Sequence, residues 1–194
     1  MPLVSILMPV RDDLRTLPDC LESIQKQSLK DWELVAVDDG SSDGSGEFLQ
    51  ETAAKDSRIR VLRERPRGIV AALNSGLAAC AGSYVARMDA DDRMRPERLE
   101  TQFAFLQRET QVDFCGSRVE PFTEEGPVSE NVQRYHDWSN SLLTDEEIRR
   151  DLFAESPIMH PTFFGPRKLY EFLGGYLEQP WAEDYDFLLR AAHE

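Results

Sequence analysis

Three carboxylates crowd into four positions in Met88-Asp89-Ala90-Asp91-Asp92, at the end of the apolar run Tyr84 to Met88. Like charges this close raise one another's pKa and weigh against folding unless something neutralises them. A hard divalent cation does so: Mg or Mn takes carboxylate oxygens and completes its shell with phosphate and water. Asp-x-Asp alone is common in solvated turns; behind a buried strand it favours the metal. A second acidic group, Asp38-Asp39, follows the apolar run Trp32 to Val37 and leads into Gly40-Ser41-Ser42-Asp43-Gly44. Helix capping accounts for part of this, because Asp and Ser satisfy free amides at such junctions. It does not account for clustering at two of them. A third group lies in Pro180-Trp181-Ala182-Glu183-Asp184-Tyr185-Asp186. A carboxylate there could accept a proton, although spacing alone favours a solvated acid at a helix start.

These groups need a frame. Val4 to Val10 reads as a buried strand, followed by Leu14, Leu17, Leu21 and Ile24 at helical spacing. Trp32 to Val37, Ile59 to Leu62 and Tyr84 to Met88 read as further strands. Helices are expected from Phe48-Leu49 onward, over Ile69 to Cys80, and from Pro96 through Leu99, Phe103 and Leu106. A strand is expected over Val112 to Val119, an irregular polar stretch from Glu120 to Asn140, and a helix over Asp145 to Phe153. Strands alternating with helices at this spacing argue for a parallel sheet covered on both faces. Ligands on such sheets bind beyond the carboxyl ends of the strands, where both acidic junctions fall.

Composition narrows the partners. With 22 Lys and Arg against 36 Asp and Glu, the formal charge is −14, which repels nucleic-acid backbones. A phosphorylated ligand would need a local cation to overcome the same field. Cys20, Cys80 and Cys115 show no metal spacing and read as small buried hydrophobes, consistent with a reducing cytosol. Met1 is followed by no basic leader or cleavage site. No run approaches the roughly 20 apolar residues of a membrane span. The chain stops in Leu188 to Glu194 at helical spacing with no Gly or Pro stop, so more protein is expected beyond Glu194. The length suits one domain, residues 1–194.

Other acidic motifs fit less well. A haloacid-dehalogenase phosphatase places its Asp-x-Asp after the first strand, not the fourth. An EF-hand loop starting at Asp39 would reach Gln50, not Glu, at its twelfth position. A dinucleotide fold needs Gly-x-Gly-x-x-Gly where this chain has Pro9-Val10-Arg11-Asp12-Asp13. Nucleotidyl transferases that make nucleotide sugars usually open with a Gly-rich loop absent around Pro9.

Six segments taken in order resemble family 2 of the inverting glycosyltransferases. They are Val4 to Asp12, Val37 to Asp43, Ala72-Leu73-Asn74-Ser75-Gly76-Leu77 with Ala81-Gly82, Met88 to Asp92, His160-Pro161-Thr162, and Glu183-Asp184-Tyr185-Asp186. The likeness covers nearly the whole chain and is loosest from Glu120 to Phe153. It implies an α/β GT-A fold, a Rossmann-like three-layer sandwich around a mostly parallel sheet. Residues 1–119 would form the nucleotide-binding half and 120–194 the acceptor side. The substrates implied are a nucleotide-sugar donor, typically a UDP-sugar, and a hydroxyl acceptor on a glycan, lipid-linked carrier or other molecule, with Mn or Mg as cofactor. Glycoconjugate or polysaccharide synthesis follows, in the cytoplasm or at the inner face of a membrane reached through the acceptor or the region beyond Glu194. Pro9, Val10 and Arg11 would border the nucleotide base and Asp38 would hydrogen-bond it. Asp89 would meet ribose and metal, Asp91 would coordinate the metal, and Asp184 would be the general base. Arg67 and His160 join the donor contacts as expectations, although a solvated Arg67 and a packed His160 also fit. Arg11-Asp12 stands where the family commonly has Tyr-Asn. A module of this fold that binds nucleotide or glycan without turnover is the alternative, and Asp92 is left without a role.

Overall fold

The computed structural model describes residues 1–123 and 126–193; Glu194, the end of the expected helical tail, lies outside the described residues. Four strands and the helices between them follow the expected order: β1 (Val4–Val10), α1 (Leu17–Gln25), β2 (Trp32–Asp38), α2 (Ser45–Ala53), β3 (Ile59–Arg63), α3 (Ile69–Ala79), β4 (Tyr84–Arg87) and α4 (Arg98–Arg108). Beyond them come α5 (Glu130–Ser141), α6 (Asp145–Asp151), a 3₁₀ turn (His160–Thr162), β5 (Phe164–Pro166), α7 (Arg167–Phe172) and α8 (Glu183–His193).

The sheet runs β3-β2-β1-β4-β5. The first four strands are parallel and β5 is antiparallel to β4. The chain winds outward from β1 through β2 to β3, then crosses to the other side of β1 to form β4. Such a reversal opens a crevice beyond the carboxyl ends of β1 and β4. Pro9 to Asp13 and Asp89 to Asp92 both enter that crevice.

Alternation along the strands builds a core on each face. Ile6, Met8, Leu34, Ala36 and Ala86 pack with α1 and α4. Leu7, Val35, Val37 and Val85 face α3, Tyr170, Tyr176 and Phe187. Gly76 lets α3 lie against the sheet, since a Cβ there would stand 2.4 Å from the Leu7 side chain. Burial on both faces is what makes β1 and β2 read as unbroken apolar runs.

Two expectations fail in the second half. The strand over Val112 to Val119 reduces to a single bridge, Cys115 to Phe164. Pro166 ends β5 without an N–H to offer and the 3₁₀ turn occupies the other end, so the ladder cannot extend. The stretch from Glu120 to Asn140 is not irregular throughout, because α5 fills Glu130–Ser141. Its apolar stripe is thin, with Val132, Tyr135 and Trp138 at helical spacing among polar residues and only Ser139 buried. A second local signal is Ser129, whose side chain accepts from the Val132 amide. Helix α6 forms as expected, with Thr144 and Glu147 in a capping box.

Candidate donor site

Two acidic loops meet at the crevice and differ in what their carboxylates do. In the loop after β2, Asp38 is 1% exposed. Its Oδ1 accepts from the Ser41 amide at 2.8 Å, and its Oδ2 pairs with Arg63 Nε at 3.2 Å. Asp39 accepts from the amides of Arg67 at 2.7 Å and Gly68 at 2.9 Å, with Arg11 Nη1 at 3.4 Å. Gly68 can make that approach because it holds φ +90°. Asp12, at φ 58°, accepts from the Ser42 amide at 2.7 Å and donates its own amide to Ser41 Oγ at 3.1 Å. Asp43 accepts from the amides of Leu14 at 2.8 Å and Ser45 at 2.9 Å. The loops after β1 and β2 are thereby laced into one unit.

After β4 the arrangement is the opposite. Asp89, Asp91 and Asp92 each offer a carboxylate oxygen, and these oxygens lie within 4.8 Å of one another. Among the described residues, no hydrogen bond reaches the carboxylates of Asp91 or Asp92. Burial, then Asp89 and Asp91, push the Asp92 carboxyl up to about 6. Asp13 lies within their field: burial, then Asp91, Asp89 and Asp43, raise its carboxyl against a hydrogen bond from the Arg11 amide. Three hard oxygen donors at this spacing fit one Mg or Mn ion, with coordination positions left for phosphate and water.

Two arginines that the sequence reading passed over stand beneath the cluster. Arg87 is 1% exposed and forms an ion pair with Asp89. Arg98 donates to the Arg87 carbonyl at 2.9 Å and to Gln102 Oε1 at 3.0 Å, and Gln102 in turn donates to the Thr162 carbonyl at 2.8 Å. The available signal was a lone charge inside the apolar run Tyr84-Val85-Ala86-Arg87-Met88, at a position that strand alternation sends into the core.

The start of α8 forms the site's other wall. His160 is 7% exposed, with Nε2 3.1 Å from the Tyr176 hydroxyl and Nδ1 3.7 Å from Glu183 Oε1. Burial, then the Arg87 charge, lower its pKa and keep the ring neutral. Burial, then Asp184 and Asp89, raise the Glu183 carboxyl, against its own amide and Arg87. Asp184 is half-buried, and its Oδ1 accepts from the Tyr185 amide at 2.7 Å. Asn74 fixes this wall at a distance: it accepts from the Tyr176 amide at 2.9 Å and donates to the Tyr176 carbonyl at 2.8 Å. The expected residues thus fall into three sets. Arg11, Asp38 and Arg67 surround the loop after β2, with Pro9 and Val10 at the end of β1. Asp89 and Asp91 form the cluster. His160 stands behind Glu183, next to Asp184. The Arg67 side chain reaches Glu64 and Ser75 Oγ and is largely solvated.

The sequence matches the profile described as Glycosyl transferase family 2 over residues 5–174. The chain belongs to that family. An uncharacterized glycosyltransferase of Haemophilus influenzae is 29% identical over 191 residues, covering 96% of this chain and 59% of that protein. Glycosyltransferase GlyG of Streptococcus pneumoniae is 35% identical over 106 residues, covering 54% of this chain and 35% of GlyG. The chain therefore spans about half the length, or less, of several curated relatives it matches. Among solved structures, S. aureus TarS 1–349 superposes with TM-score 0.77 at 20% identity, over 98% of this chain and 55% of that one. The Pyrobaculum calidifontis mannosyltransferase PcManGT, solved with GDP-Man and Mn2+, gives 0.74 at 23% identity, over 98% and 52%. The fold is GT-A, as the sequence implied. Among the described residues, no helix is long and apolar enough to cross a membrane.

Proposed function

We propose that this chain is the catalytic part of an inverting glycosyltransferase that moves a sugar from a nucleotide diphosphate to an acceptor hydroxyl. The observation that carries it is the cluster Asp89, Asp91 and Asp92, with oxygens within 4.8 Å and no internal partner for two of the three. It stands at the switch point between β1 and β4, opposite the Glu183-Asp184 start of α8. Residues 1–119 would bind the donor and 120–194 would form the acceptor side.

Asp91 and Asp89 would hold Mn or Mg, which when bound supplies Lewis-acid stabilisation of the departing diphosphate. Pro9, Val10 and Arg11 border the nucleoside pocket. Asp38, buried with its oxygens already bonded to the Ser41 amide and Arg63, shapes it from below rather than hydrogen-bonding the base as expected, and Asp39 does the same through Arg67 and Gly68. Asp184 takes the proton of the acceptor hydroxyl as that oxygen bonds to the anomeric carbon and the bond to diphosphate breaks. One displacement from the far face inverts the centre. His160, neutral and buried, acts through Glu183 rather than on substrate. Uracil is the base proposed. TarS has been solved with UDP-GlcNAc and PcManGT with GDP-Man, so both nucleotides are compatible with the fold.

Calorimetric titration with UDP, GDP and ADP, in Mn and in EDTA, tests this. Metal-dependent UDP binding is expected. Absence of nucleotide binding under every condition would refute it. Donor hydrolysis that Asp91→Ala abolishes would distinguish an enzyme from a binding module.

A further inference from the structure

We infer that Arg87 makes cation binding at the Asp89-Asp91-Asp92 cluster conditional on the donor's diphosphate. The inference rests on the donor-site reading above and deepens it. Strand alternation places Arg87 on the α8 face of the sheet, along with Val85. Its backbone is pinned on both sides: its amide donates to the Phe163 carbonyl at 2.9 Å, and its carbonyl accepts from Arg98 at 2.9 Å. Burial of the whole side chain, 1% exposed, holds the guanidinium against Asp89.

Arg87 and Arg98 use their donors differently. Arg98 spends its on Gln102, the Arg87 carbonyl and Met88 Sδ. Arg87 is buried, and its Nε and Nη1 have no hydrogen-bond partner among the described residues; Nη1 meets Asp89 as an ion pair only. Sealed from solvent and paired only with Asp89, the Arg87 guanidinium acts on the site through that carboxylate and through its field, not by direct contact with a ligand.

A fixed charge at this depth is little screened by salt. It acts on the two ligands with opposite signs. It opposes a divalent ion that shares Asp89, and it attracts a diphosphate. With the diphosphate present, the repulsion is offset and the cation binds. Without it, Arg87 keeps the cluster partly neutralised, so the acidic loop folds with no metal.

The test is calorimetry on the whole chain, with Mn alone, UDP in EDTA, and Mn with saturating UDP. Arg87→Met is expected to bind Mn alone about tenfold tighter and UDP in EDTA about tenfold weaker. Arg87→Lys, which keeps the charge, should stay within about threefold of wild type in both. A purely structural arginine predicts loss of both affinities in Arg87→Met; that result, or no change in either, overturns the inference. If circular dichroism shows Arg87→Met unfolded, Arg87→Gln takes its place, with the same shifts expected. Wild type alone also decides: equal Mn affinity with and without UDP overturns the role of Arg87. Wild type that binds neither ligand instead removes the donor-site reading itself.

Discussion

The loops after β2 and β4 are both acidic and open on the same crevice, yet only one of them leaves its charge unspent. Asp38, Asp39 and Asp43, joined by Asp12 from the loop after β1, hold the amides of Ser41, Arg67, Gly68, Leu14, Ser45 and Ser42. Their carboxylates are consumed in shaping the chain. Asp91 and Asp92 hold no amide, and the Asp92 carboxyl is pushed up to about 6 by burial and its neighbours. Crowded carboxylates signify a ligand only where the protein has not already satisfied them. On that criterion the first loop is architecture and the second is chemistry.

Substitutions should separate the two loops cleanly. The largest expected effect is Asp91→Ala. Asp91 is exposed, so stability should shift by no more than about 0.5 kcal/mol, while metal-dependent UDP binding and donor hydrolysis disappear. Persistence of Mn-dependent binding in that variant would return the cluster to the solvated-turn class. Next is Asp184→Asn, expected to slow transfer about 10²- to 10⁴-fold with UDP affinity nearly unchanged. Glu183→Gln is the matched control, because Glu183 faces His160. If Glu183→Gln loses more in kcat than Asp184→Asn, the two acids exchange roles.

Much of this contrast was legible beforehand and some was not. Buried parallel strands declare themselves as apolar runs, so β1 to β4 and the loops that end them were visible. Met88 to Asp92 was visible too, because like charges in sequence remain neighbours in space. The partners of Asp38 and Asp39 were not. Arg63, Arg67 and Gly68 lie some 25 to 29 positions away, and backbone amides carry no letter in a sequence. That is why clustering at two junctions looked like one phenomenon. Arg87 was hidden as a single charge in an apolar run. Helix α5 was faint because Val132, Tyr135 and Trp138 keep helical spacing within a polar, Pro- and Gly-flanked stretch, and the strand expected over 112–119 fails because alternation of Phe114 and Cys115 cannot reveal that the partner strand stops at Pro166.

A third prediction probes the architectural loop. Asp39→Ala leaves the amides of Arg67 and Gly68 without their acceptor in a nearly buried place. The expected cost is about 1–3 kcal/mol, read from urea denaturation as a lower midpoint at unchanged m-value. Mn affinity in saturating UDP should fall far less than in Asp91→Ala. A variant that keeps full stability yet loses Mn binding would place Asp39 with the chemical loop instead.

The smallest effect concerns the wall behind the site. His160 has a folded pKa below its ordinary 6.5 because burial, then Arg87, disfavour the charged ring. The unfolded chain therefore binds a proton near pH 6.5 that the folded protein refuses. Stability rises with pH wherever the unfolded state holds more protons, so this contribution is complete above about pH 6.5 and is lost as pH falls below it. The slope is at most about 1.4 kcal/mol per pH unit for one proton. Asp92 tilts the other way at lower pH, since its carboxyl goes from 3.8 to about 6 on folding and so favours the folded state as pH falls through that range. The two trends partly cancel in the wild-type curve, and only a difference between proteins isolates the histidine. His160→Asn can still reach the Tyr176 hydroxyl and cannot titrate. Denaturation in EDTA between pH 5 and 8 should show the variant losing less stability than wild type below about pH 6.5, with the two curves parallel above it. Parallel curves throughout would mean that His160 takes up its proton in the folded protein as readily as in water, and that its contact with Glu183 is a charged one.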